Sequence, residues 1–216
     1  MKKFFLSIVA ALLAVPTFAQ FTSGGFTLSE NNVYYGVRFG LSMASLSSDD
    51  VETDGKAGLT LAGVIGLRLS EGSPVFLESG LYYTERGGKK DKVSIGYNNL
   101  EIPVLIKYGF QATDEIALLP FLGPVFSYGI SGKTKQYQQV TENGSIELVK
   151  VGTFDEKKAY TGGLKRPNMG IKVGCGAEWN NLYLEAGYNF GVTNIAKEDE
   201  FTIHSNTLFI NLGVNF

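Results

Sequence analysis

His204 is the only histidine of the chain, and Ser205 follows it directly. A serine with a histidine is the pairing that nucleophilic acyl chemistry uses, once a carboxylate orients the imidazole and donors hold an oxyanion. Glu198, Asp199 and Glu200 stand just upstream. Spacing alone does not make these groups converge, and a solvated loop histidine accounts for the same residues, so no catalytic residue is assigned. Asp49, Asp50, Glu52 and Asp54 crowd a second stretch. Such a cluster suits a hard cation, yet it follows no ligand spacing of a metal-binding loop. It reads as a solvated acidic segment, with no metal and no cofactor expected. The single cysteine, Cys175, rules out an internal disulfide framework. It lies in an apolar row with Ile171, Val173 and Ala177, as a small hydrophobe would.

A second set of charged residues is more regular. Arg38, Arg68, Lys107 and Lys172, with Glu78, Glu101, Glu178 and Glu185, each occupy a position whose sequence neighbours on both sides are mostly apolar. Four positive groups balance four negative ones. If all eight point to one enclosed face, they must pair and hydrogen-bond to be tolerated there. The expected arrangement is an ionic network bracing a wall from inside. A selective pore or proton path is the competing reading, and the charge balance leaves no net field to select ions.

The elements that would carry these residues follow from alternation. Successive side chains of a strand point to opposite faces. In YYGVRFGLSMA, Tyr35, Val37, Phe39, Leu41 and Met43 alternate with Gly36, Arg38, Gly40 and Ser42. GLTLAGVIGLRL, PVFLESGLYYTER, NLEIPVLIKYGF, NMGIKVGCGAEW, NLYLEAGYNF and TLFINLGVNF repeat the pattern. IALLPFLGPVFSYG is less regular, because Pro120 and Pro124 cannot donate to a ladder, and a bulge or broken pairing is expected there. The count is eight strands of roughly ten residues, the length that crosses a bilayer at a ~45° tilt.

Connection lengths separate membrane from solution. SEGS, QATDE and Asn180-Asn181 are short links, and each alternates with a long one near 45–56, 86–97, 131–167 or 192–205. Strict alternation is expected of an all-β, eight-stranded antiparallel up-and-down transmembrane barrel with short periplasmic turns and long extracellular loops. Tyr35, Tyr108, Trp179 and Phe216 then mark one edge of the outward face, and Tyr83, Tyr188 and Phe190 the other. Aromatic girdles at both interfaces fit such a wall.

The first residues, MKKFFLSIVAALLAVPTFAQ, give a basic start, an apolar run too short to span, and small residues before a cut after Ala19. Residues 1–19 are expected to be a signal peptide and 20–216 the barrel domain. Without Lys2 and Lys3, the 19 basic residues fall to 17 against 21 acidic ones, so no nucleic-acid partner is expected. Outer-membrane lipid is the expected surrounding.

Two resemblances narrow this further. Leu208, Ile210, Leu212, Val214 and the terminal Phe216 resemble the C-terminal signal by which outer-membrane barrels are recognised for assembly, which implies the barrel-assembly machinery as a partner. NLEIPVLIKYGF, PFLGPVFSYG and LYLEAGYNFGVTNI resemble the small PorT-like outer-membrane β-barrel family common in Bacteroidetes. That resemblance implies an integral outer-membrane protein of about eight strands. The family includes a component of a protein-secretion system.

The third long link is itself patterned. QQVTENGSIELVKV sets Asn143-Gly144 between alternating residues, a hairpin signal that predicts strands near 136–141 and 146–152. A projecting hairpin can recruit a protein partner by strand addition. The function expected is a non-enzymatic anchor that displays 131–167, or a subunit of an envelope or secretion complex. A narrow channel or carrier for a small solute is the alternative. A lipid-modifying barrel enzyme using His204 is a third, because such enzymes use a serine and histidine near the outer rim.

Overall fold

A computed structural model of the chain describes residues 32–48, 53–69, 73–90, 93–113, 115–139, 146–155, 163–197 and 202–216, with side chains except at 136–139 and 146–148. The expected signal peptide, the acidic residues Asp49, Asp50 and Glu52, the carboxylates Glu198 to Glu200 and the Asn143-Gly144 turn lie outside the described residues.

Alternation produces strands throughout. They are β1 (Val33–Ser48), β2 (Asp54–Arg68), β3 (Val75–Lys90), β4 (Val93–Tyr108), β5 (Phe110–Gln111), β6 (Ile116–Gln139), β7 (Ile146–Gly152), β8 (Pro167–Trp179), β9 (Leu182–Gly191) and β10 (Ile203–Asn215). Eight of them form a closed antiparallel circuit in the order β1, β2, β3, β4, β6, β8, β9, β10 and back to β1. Closure removes the open edges that hydrocarbon could not satisfy. The two-residue β5 pairs with the base of β6, and β7 pairs with its far end, outside the circuit.

The seam is well made. β1 and β10 pair from Gly36↔Asn215 to Ser48↔Ile203. The Phe216 amide then donates to the Tyr35 carbonyl at 2.7 Å, and the Tyr35 amide returns a bond of 3.1 Å. The tightest turn joins β8 to β9 through Asn180, whose φ of 53° is one that asparagine tolerates better than most side chains.

Burial follows the same two-residue period. On β1 every outward residue from Val33 to Met43 is exposed and every inward one is buried. Phe39, Leu41, Ile106, Leu122 and Leu212 each expose more than half of their surface. A continuous apolar belt of this kind belongs against lipid. Tyr35, Tyr108, Trp179 and Phe216 edge it on the short-turn side. Tyr83, Leu100 and Tyr128, paired across β3, β4 and β6, edge it on the other, where the rings of Tyr188 and Phe190 also meet with centroids 4.5 Å apart.

One expectation needs correcting, and one is met on a single side of its strand. The staves are 10 to 24 residues long rather than about ten, because the backbone ladder continues above the apolar belt with polar outward residues. The broken pairing expected at Pro120 and Pro124 is present on one side of β6, which pairs with β8 without a gap from Ile116 to Tyr128. Only the ladder to β4 is interrupted, between Pro103↔Val125 and Ile106↔Leu122, opposite Gly123 and Pro124. The bulges occur higher up, at Ile130 on β6, opposite Asn98 and Asn99, and between Gly55 and Thr60 on β2.

Candidate functional site

The inward rows converge on a charged interior. Nearest the short turns, Glu78 is the hub. Its Oε1 lies 2.8 Å from Lys107 Nζ, its Oε2 lies 3.5 Å from Arg38 Nη2, and Tyr34 donates its hydroxyl to Oε2 at 2.7 Å. Lys107 also donates to the Tyr183 hydroxyl at 2.8 Å, and the Arg38 guanidinium stacks 4.1 Å above the Tyr183 ring. Asn215 joins this layer to the last strand. Its Oδ1 accepts from Arg38 Nη2 at 2.6 Å, while its Nδ2 donates to Glu178 Oε2 at 2.7 Å.

A second layer lies farther out. Lys172 Nζ is 3.9 Å from Glu185 Oε1, which also accepts from Asn211 Nδ2 at 2.8 Å. The same ammonium sits 4.3 Å from the Tyr82 ring centroid and 4.2 Å from that of Phe209. Arg86 Nη2 pairs with Glu101 Oε1 at 2.8 Å. These charges are almost wholly buried and most have a close partner of opposite sign, the condition under which buried ions are retained.

Of the eight charged residues anticipated inside, seven are buried: Arg38, Glu78, Glu101, Lys107, Lys172, Glu178 and Glu185. Arg68 is not among them. It ends β2 at the short-turn mouth and is half-buried, because the strand runs out there. Arg86 takes the fourth buried cationic place, so four cations still face four carboxylates. The signal was present. Tyr82, Thr84 and Arg86 continue one inward row, which goes on past the point where the membrane crossing should end.

Apolar side chains close the interior at both ends. Tyr34, Phe76, Ala117, Leu119 and Tyr183 pack together on the short-turn side. Leu46, Tyr97, Leu164 and Ile195 pack on the other side, with Ile95, Phe154 and Ile203 against them. Within the outer charged layer the described residues leave a cavity of about 10 Å³, lined by groups that include Thr60, Glu101, Asn189 and Thr207. That is room for roughly one water molecule.

His204 and Ser205 are not brought together. Ser205 is fully buried on the inner face, where its Oγ accepts from the Tyr97 hydroxyl at 2.6 Å. His204 belongs to the opposite face of β10, paired with Ser47. Cys175 is exposed on the outward face, in the row with Ile171 and Val173. Among the described residues there is no group of three or more metal-ligating side chains.

The profile of the outer membrane protein beta-barrel domain matches residues 18–197, most of the chain. The chain belongs to that family. It is an integral β-barrel protein of the bacterial outer membrane. Similar solved structures include neisserial surface protein A, at 17% identity over 86% of this chain and 98% of that one, with a TM-score of 0.46. Ail of Yersinia pestis is similar at 13% identity over 86% and 100%, with a TM-score of 0.45. OprG of Pseudomonas aeruginosa is similar at 12% over 85% and 95%, with a TM-score of 0.43. No curated protein matches.

Proposed function

We propose that this barrel is a non-enzymatic anchor whose β6–β7 arm captures a protein partner at the cell surface, as a subunit of an envelope complex of the PorT-like kind. The observation that carries the reading is the arm. β6 runs on past Lys135, the last of its residues to pair with β4 (opposite Ser94), to Gln139, and pairs with β7 from Gln139↔Ile146 to Lys133↔Gly152. Among the described residues the far side of β7 pairs with nothing, so it offers a row of backbone donors and acceptors to an added strand. The filled interior supports an anchor over a channel or carrier. The C-terminal strand, with Leu208, Ile210, Leu212, Val214 and Phe216, is the element we assign to recognition by the assembly machinery.

The arm can be removed without disturbing the wall. Lys135 and Lys150 are register partners, so an Asn-Gly turn joining them replaces residues 136–149 with a two-residue hairpin. A photo-crosslinking residue at Val149 in the intact chain should trap an envelope protein in living cells. The shortened chain, with its crosslinker at Lys133, should assemble normally and trap nothing. Equal trapping by the shortened chain would exclude the arm as the docking edge.

A further inference from the structure

Above the outer girdle, the outward face of the wall changes character row by row. Tyr83, Leu100 and Tyr128 form the last apolar row across β3, β4 and β6. Glu85, Asn98 and Ser131 form the next, then Gly87, Gly96 and Lys133. The row above holds Lys89, Ser94, Lys135 and Lys150, across β3, β4, β6 and β7. Rows on one face repeat every two residues, so at ~3.4 Å per residue and a ~45° tilt Lys133 stands roughly 10 Å above the rings. That is the level of lipid headgroups, not of hydrocarbon.

Lys56 joins these cations from β2. The bulge between Gly55 and Thr60 lets its side chain lie across β3 and β4. A methyl group at Gly87 would come within 2.9 Å of its Cδ, and one at Gly96 would strike its Nζ. Two facing glycines therefore form the bed for this lysine, whose ammonium donates to the Ile95 carbonyl at 3.3 Å. Beside it opens a hollow of about 350 Å³ lined by Lys56, Glu85, Arg86, Asn98, Ser131 and Lys133.

We propose that this hollow and the lysine row above it bind the phosphate-bearing headgroup of a glycolipid in the outer leaflet. The apolar belt directly below supplies the surface for that lipid's acyl chains, so one molecule can satisfy both. Among the described residues none of Lys56, Lys89, Lys133, Lys135 and Lys150 is in an ion pair. Burial, with Lys89 and Lys135 close by, holds the Lys56 ammonium below its ordinary pKa, and an anion seated there would relieve that repulsion. Five cations gathered on one face of an otherwise acidic chain are a local excess, with Glu85 lining the hollow itself and Asp54 and Asp155 the described carboxylates at its margins.

The test uses the full-length barrel in neutral detergent and two probes, diphosphorylated lipid A and the same lipid stripped of both phosphates. The phosphorylated form should be held roughly tenfold more tightly or better, with the preference shrinking as salt rises. The K56Q/K133Q/K135Q/K150Q variant should lose the preference while retaining a heat-shifted gel band, the mark of a folded barrel. Equal retention of both lipids by the natural chain, in any salt, overturns the proposal even if the variant fails to fold. So does displacement of the lipid by an equal concentration of inorganic phosphate, which would make this a site for soluble anions. Because Lys135 and Lys150 survive removal of the arm, the arm-deleted chain should keep its lipid preference whether or not the partner reading holds.

Discussion

The Arg86 guanidinium meets the Glu101 carboxylate at 2.8 Å, with both side chains almost wholly buried. The pair couples β3 to β4 inside the wall. Removing either partner strands the other as an uncompensated buried charge, at about 3–5 kcal/mol. Arg86→Ala and Glu101→Ala should each lower the unfolding free energy in micelles by about that much, and Arg86→Met with Glu101→Leu should restore most of it. Single variants as stable as the natural chain would mean that water reaches the pair.

The packed interior predicts electrical silence. Reconstituted in a planar bilayer, the barrel should give no discrete conductance steps, since charged and apolar side chains fill its interior and the cavity beside Lys172 and Glu101, about 10 Å³, is no larger than a water molecule. Steady ohmic openings would show that a passage exists and would revive the channel reading.

Glycine positions differ sharply in what a methyl group would meet. At Gly66 it would collide with the ring of Tyr34, whereas at Gly152 the nearest atom is Asp155 Cβ, at an ordinary 3.5 Å. Gly66→Ala should destabilise by about 1–3 kcal/mol through overpacking. Gly152→Ala should stay within about 0.5 kcal/mol of the natural chain. Urea titrations of the two variants side by side decide the matter.

The depth of the apolar belt can be measured with a charge. Ile210 is half exposed in mid-belt, between Leu41 and Ala186, and Ile130 lies just beyond the Tyr128 row. Ile210→Arg should cost about 2–4 kcal/mol of folding free energy in a bilayer, and Ile130→Arg about 0–1. Equal costs would mean that the belt has been placed at the wrong height.

Much of this architecture is legible in the letters, because a period of two assigns each residue to a face before any coordinate is known. Arg38, Lys107 and Glu185 were visible as inward charges for that reason, and β6 and β7 end and begin close to where the Asn143-Gly144 signal puts them. The exchange of Arg68 for Arg86 is not legible there, because a crossing of about ten residues stops short of Arg86. Strand ends are set by backbone pairing, which continues where the apolar pattern stops. The bed for Lys56 was invisible for another reason. It needs a bulge in β2 and the facing of Gly87 with Gly96, and register between strands is not written along one strand.

β6 has 24 residues, while β9, two places around the circuit, has 10. The rim is consequently oblique, high along β3, β4 and β6 and low along β9. Such a barrel has a front and a back, and in a crowded two-dimensional sheet its rotation about the membrane normal becomes a meaningful coordinate. The high side carries both the arm and the lysine rows.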